Sequence, residues 1–215
     1  MAKKRRIFKI GSRAWKRFRH HHHDIEVAIV RAKLGNPSRI DPNHPLAPKS
    51  HPLPKSHKHV KPKLAGPLAA HIVYWCHIAL KYAGKMTYSE NYTLRQELFH
   101  RAIGKFLSSV ADCSQFVASI LHWLGVKVVT ATDYTGTLLQ KGKLLAGPQP
   151  GCVAIWGPHT GAHAAFITEK TADGKDWYCV GFGHQGAPDR NTLSGMNAYF
   201  AGIGEPGVRF LEFSR

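Results

Sequence analysis

The run Asp112-Cys113-Ser114-Gln115-Phe116-Val117-Ala118-Ser119-Ile120-Leu121-His122-Trp123-Leu124-Gly125 decides how the rest of the chain is read. Phe116, Val117, Ile120, Leu121 and Leu124 recur at three- and four-residue intervals, the period of one helix face. Asp112 is a residue type that caps a helix start through its side chain. Gly125 is the type that ends one. The pattern predicts an amphipathic helix from Cys113 to about Leu124, with the Cys113 thiol one turn before Val117 and so on the core side. A free cysteine titrates near ~8.5 and is mostly protonated at neutral pH. The positive end of a helix and a neighbouring imidazolium each favour the thiolate, and can bring that value down to roughly 3.5–7.5.

On the C-terminal side, short apolar runs predict strands near 127–130, 152–156, 162–168 and 177–183, with Asp173-Gly174 turning between the last two. His163 opens one of these runs and His184 closes another. On the N-terminal side, Leu68, His71, Ile72, Trp75, Cys76, Ile78, Ala79 and Tyr82 predict a helix over 68–83. A polar, turn-like passage with Tyr88 and Tyr92 follows. Helices first and an antiparallel sheet afterwards predict an α+β domain over residues 68–215.

Charge separates that domain from what precedes it. The chain has 215 residues and a formal net charge of +17. Residues 1–63 hold 17 Lys/Arg against 3 Asp/Glu, and 8 of the 15 histidines, so nearly all the excess is N-terminal. Residues 1–35 read as a basic arm with interspersed Phe8, Trp15 and Phe18, and one short helix over 24–34 capped by Asp24. Residues 36–67 carry prolines at 37, 42, 45, 48, 52, 54, 62 and 67, a composition that favours an extended linker and packs no core. The arm suits a polyanion, whether nucleic acid, anionic lipid or anionic wall polymer, or else it is a solvated tail. The run His20 to His23 could hold a divalent ion. Consecutive imidazoles cannot all face one ion, however, and nothing is spaced to close the site, so no metal is expected.

Cys76, Cys152 and Cys179 each lie in an apolar run, as buried free thiols do, and the domain is large enough to need no disulfide. No run approaches the ~20 apolar residues of a membrane span. The basic N-terminus has no apolar stretch behind it, so a secretory signal is not expected.

A thiol at a helix start followed by histidines on later strands is the order of a papain-like nucleophilic enzyme. Cys113 would attack, His163 would act as general base and then acid, and His184 would orient His163 through its other ring nitrogen. Each has a plain structural alternative: a buried small hydrophobe, a satisfied core histidine and a loop residue.

The chain resembles the NlpC family of bacterial and phage cell-wall cysteine peptidases, in several blocks over most of residues 68–190. Asp112-Cys113-Ser114-Gln115-Phe116-Val117 resembles the nucleophile motif, Gly161-Ala162-His163-Ala164-Ala165-Phe166-Ile167 the base strand, and Gly183-His184-Gln185-Gly186-Ala187-Pro188 the third-residue segment of phage members. Tyr134-Thr135-Gly136-Thr137-Leu138 and Gln149-Pro150-Gly151 also match the phage branch. The resemblance implies a papain-like NlpC-type fold and hydrolysis of an amide in the stem or cross-link peptide of peptidoglycan, most readily a D-Glu–diaminopimelate bond. It implies Cys113, His163 and His184 as catalytic residues and no cofactor. Tyr88 and Ser114 are the expected oxyanion or substrate contacts. A phage lysin is implied, made in the host cytoplasm and reaching the wall through a holin pore or as part of the virion. The alternative is a virion structural or polyanion-binding protein. The sequence departs from the family at Cys152, where an aspartate is usual after Pro-Gly, and after Tyr88, where Ser89-Glu90-Asn91 replaces a glycine pair.

Overall fold

The computed structural model describes residues 67–183 and 188–215. The basic arm, the histidine run, the helix expected over 24–34, nearly all of the linker and His184 lie outside the described residues. Within them the fold is mixed α and β, with five α-helices and a six-stranded antiparallel sheet.

Helix α1 (Leu68–Leu80) starts after Pro67 and buries Ile72, Trp75, Cys76 and Ala79 along one side. It stops three residues short of the expected end, because residues 81–84 form a turn that closes on Gly84 at φ +76°. The passage that follows holds β1 (Thr87–Tyr88), a 3-10 turn (Leu94–Gln96), α2 (Glu97–His100) and β2 (Val110–Ala111). Strands β1 and β2 pair in parallel, Tyr88 opposite Ala111. Helix α3 (Cys113–Trp123) and α4 (Thr135–Lys141) come next.

The sheet consists of β3 (Lys143–Leu145), β4 (Val153–Trp156), β5 (His163–Lys170), β6 (Trp177–Gly181), β7 (Asp189–Thr192) and β8 (Val208–Glu212), in the order β3-β8-β4-β5-β6-β7. Helix α5 (Leu193–Gly202) lies between β7 and β8 in the chain. Successive strand residues point to opposite faces, and the sheet accordingly separates two apolar cores. Ile155, Ala164, Phe166 and Val180 pack with α1 and α3, whereas Trp156, Ala165, Ile167 and Cys179 pack with α5.

The expected strands at 152–156, 162–168 and 177–183 are present as β4, β5 and β6. The strand expected at 127–130 is not there. Gly125, at φ +85°, ends α3, the Val126 amide bonds back to the Leu121 carbonyl, and the Thr130 amide donates to the Asp133 carboxylate at 2.7 Å. These bonds curl the segment into turns, so Val126 and Val129 are buried while Val128 is exposed. No helix among the described residues is long and apolar enough to cross a membrane.

Candidate active site

Helix α3 begins at the thiol because Asp112 has extended backbone and its Oδ1 accepts the Gln115 amide at 2.7 Å. That satisfies one of the first-turn N–H groups that have no intrahelical partner. Ser114 Oγ donates to the same oxygen at 2.8 Å. Arg95, from the 3-10 turn, donates through Nη1 to Asp112 Oδ2 at 2.6 Å and lies 3.3 Å from Ser114 Oγ. All three side chains are buried. Burial alone would lower the Arg95 pKa, but the Asp112 carboxylate outweighs it, and a negative Cys113 adds to the same effect, so the guanidinium is held charged. Cys113 itself is 4% exposed and belongs to neither apolar core.

The surroundings of the other three thiols push their pKa up. Burial is the main cause for Cys76, with the Glu169 charge adding to it. Burial raises Cys179 as well, helped by Asp189 and Asp176, and pushes Cys152 up to about 11. Cys152 stands where the resembled family has an aspartate, and its sulfur takes up the Gln149 amide at 3.5 Å, so the turn after Pro150-Gly151 keeps a side-chain acceptor.

Two links tie the start of α3 to the start of β5. The Asp133 carbonyl accepts Gln115 Nε2 at 2.6 Å, and two residues on, Thr135 Oγ1 donates to the Gly161 carbonyl at 3.1 Å. Gly161 sits at φ +78°, and a Cβ there would come within 2.4 Å of Ile155, so only glycine fits this entrance to β5. His163 follows as the first residue of β5, paired with Trp156 and 1% exposed. Its ring stacks on Phe200 at 5.6 Å and lies 5.8 Å from Trp156, on the face turned toward α5. Gly181, at the end of β6, leaves room for it, since a Cβ at that position would meet His163 Nε2 at 3.1 Å. On the other face, Phe182 stacks on Phe116 of α3 at 6.1 Å and lies 5.8 Å from Tyr88.

The start of α3, the start of β5 and the end of β6 therefore converge at one end of the sheet. Cys113 and His163 both lie there, with the His163 side chain leaving its strand on the face opposite the apolar stripe of α3. Thiol and imidazole would have to meet around this end of the sheet, past Gly181 and Phe182. Gly183 and Pro188, the described residues on either side of 184–187, are both buried.

Tyr88 lies beside the residue before the Asp112 cap, and its hydroxyl donates to Glu90 Oε1 at 2.8 Å. Ser114 has its Oγ engaged within the Arg95–Asp112 cluster, so its side chain builds the helix start. Sequence reasoning missed Arg95, Gln115, Asp133 and Gly181. Gln115 lies in the nucleophile block and is fully buried, with its partner, the Asp133 carbonyl, 18 residues away.

No protein-family model matches this chain, and no curated protein matches it.

Proposed function

We propose that residues 68–215 form a papain-like, NlpC-type cysteine peptidase or amidase that cleaves an amide in the stem or cross-link peptide of peptidoglycan. One observation carries the proposal. Of four cysteines, Cys113 alone begins a capped helix beside a buried cation and outside the apolar cores, at the end of the sheet where His163 stands. The resemblance supplies the substrate class.

In this mechanism the thiol proton of Cys113 passes to His163, and the sulfur attacks the substrate carbonyl. First-turn N–H groups of α3 stabilise the oxyanion. The C–N bond breaks as His163 protonates the departing amine, which leaves a thioester. Water deprotonated by His163 then releases the acid and restores the thiol. His184 holds the imidazole in its working tautomer. A phage lysin that reaches the wall after holin release, or as part of the virion, fits the block pattern.

Isolated cell walls incubated with the protein are expected to release free amines, and Cys113→Ala is expected to abolish that release. Equal release by the two proteins would overturn the proposal. The net charge of +14 on residues 1–63 favours a second role in gripping a polyanion. Nucleic-acid binding by the full chain should then fall steeply with salt through counterion release. Binding that is flat in salt would remove that role.

A further inference from the structure

The cluster at the start of α3 contains more charge than a helix cap needs. Asp112 Oδ1 already serves the cap by accepting the Gln115 amide, and a neutral asparagine would do the same work. The second oxygen, Oδ2, is held by Arg95 at 2.6 Å, with the same guanidinium nitrogen 3.3 Å from Ser114 Oγ. Arg95 thus contacts the side chains on both sides of Cys113 in the sequence, and it does so while only 8% exposed. A carboxylate adjacent to a thiol disfavours the thiolate, and a guanidinium favours it. With water excluded, both effects are stronger than at a surface.

We propose that Arg95 is a positioning residue for the reaction at Cys113: it neutralises the Asp112 cap and holds a fixed positive charge beside the sulfur, so that the thiolate forms near neutral pH. The interaction is mutual, because a negative Cys113 favours the charged guanidinium. Among the other titratable groups around the site, the Tyr92 ring lies 5.7 Å from the Arg95 guanidinium. Asp133, from the segment before α4, is paired with Lys141 at 2.6 Å, and Glu90 beside β1 takes the Tyr88 hydroxyl. His163 lies on β5 at the same end of the sheet. Arg95 is the cation that contacts both neighbours of the sulfur. This inference rests on Cys113 being the nucleophile, but its test does not depend on the substrate.

The test is the pH dependence of Cys113 alkylation by iodoacetamide in the full chain, followed by mass spectrometry of the Cys113 peptide. Arg95→Met removes the cation and leaves the Asp112 charge, so the apparent thiol pKa is expected to rise by about one pH unit, with about a tenfold loss of rate below it. Asp112→Asn keeps a capping oxygen and leaves the cation, so the pKa should fall. The double variant, which leaves no unpaired buried charge and so guards against misfolding, should lie between the two. Arg95→Lys keeps the charge and loses the fork, and should stay close to wild type in pKa.

Opposite shifts in the two single variants are not expected of a residue that only holds the fold together, since losing either partner would then impair reactivity alike. Shifts in the same direction, or an unchanged thiol pKa in all four, would overturn the inference. Wall digestion by wild type reports separately on the hydrolase reading: digestion with an Arg95-independent thiol sinks the inference alone. Opposite shifts without digestion leave the inference standing and sink the hydrolase.

Discussion

Cys76 and Cys113 lie toward opposite ends of β5, both buried, with a carboxylate acting on the first and an Arg95–Asp112 ion pair beside the second. Near the last residues of the strand, Glu169 bonds His77 Nε2 at 2.9 Å and Arg190 at 2.9 Å, with Arg190 stacked 3.5 Å over the Tyr178 ring. Cys76 is next to His77 and feels the Glu169 carboxylate, so burial and an anion together hold it protonated. Near the first residues of the strand, Cys113 starts a helix next to an arginine whose own carboxylate partner is engaged. One fold thus contains two buried thiols in two electrostatic settings, one beside Glu169 and one at a capped helix start next to an arginine.

The comparison can be broken at either end. Glu169→Gln removes the carboxylate paired with Arg190, whose side chain is 4% exposed. Breaking a buried pair by removing one partner costs about 3–5 kcal/mol. Urea unfolding should show that loss, while the Cys113 alkylation rate in the folded protein stays as in wild type. A change in Cys113 reactivity of similar size would show that the two ends are not independent.

The thiols themselves give the next effect. In the native chain at about pH 8, Cys113 should be alkylated faster than Cys76, since the thiolate is the reacting species and burial together with the Glu169 charge raises the Cys76 pKa. Peptide mapping after a short pulse measures it, and comparable labelling would remove the distinction.

Gly181→Ala sharpens the picture at the His163 end. The added methyl would stand 2.9 Å from Ala165 Cβ and 3.1 Å from His163 Nε2. Overpacking of this kind costs about 1–3 kcal/mol. Wall-digesting activity should fall by more than the stability change accounts for, because the base is displaced, and Cys113 labelling should be affected less than activity.

The smallest effect is the acid limb. Burial would raise the Glu169 pKa, but the His77 and Arg190 contacts outweigh it and the folded value lies below the usual one. A carboxyl depressed on folding contributes stability above its unfolded pKa, about 4.3, and loses it as pH falls through the lower folded value. The stability gap between wild type and Glu169→Gln should therefore narrow below about pH 4. A gap constant from neutral to acid pH would contradict the ionic account.

How much of this was legible beforehand depended on periodicity. Helices α1 and α3 followed from apolar residues at helical spacing, and β4, β5 and β6 from apolar runs bounded by turn residues. The strand expected at 127–130 failed because two adjacent valines carry β propensity but no partner strand, and local hydrogen bonds from Val126 and Thr130 won. Strand β7, Asp189-Arg190-Asn191-Thr192, is polar and mostly buried, so it breaks the rule by which strands are recognised. Its arginine is accommodated by Glu169 and Tyr178, both distant in sequence. Strands β1 and β2 are two residues each, too short to leave a pattern.

In the candidate site, Cys113 and His163 stood out because of their chemistry and position. Arg95 did not, because its partner is 17 residues away and its turn has no repeating pattern. Gly181 was invisible for a different reason: its role is to be absent beside an imidazole that only the folded sheet brings near.

The most direct test of the central claim is digestion of a defined muropeptide by the wild-type chain, before and after iodoacetamide has blocked Cys113 alone, with products read by mass spectrometry. The account predicts hydrolysis of one peptide amide, abolished by the block while the fold remains intact by circular dichroism. Hydrolysis that continues with Cys113 blocked, or an intact muropeptide in both samples, would contradict it.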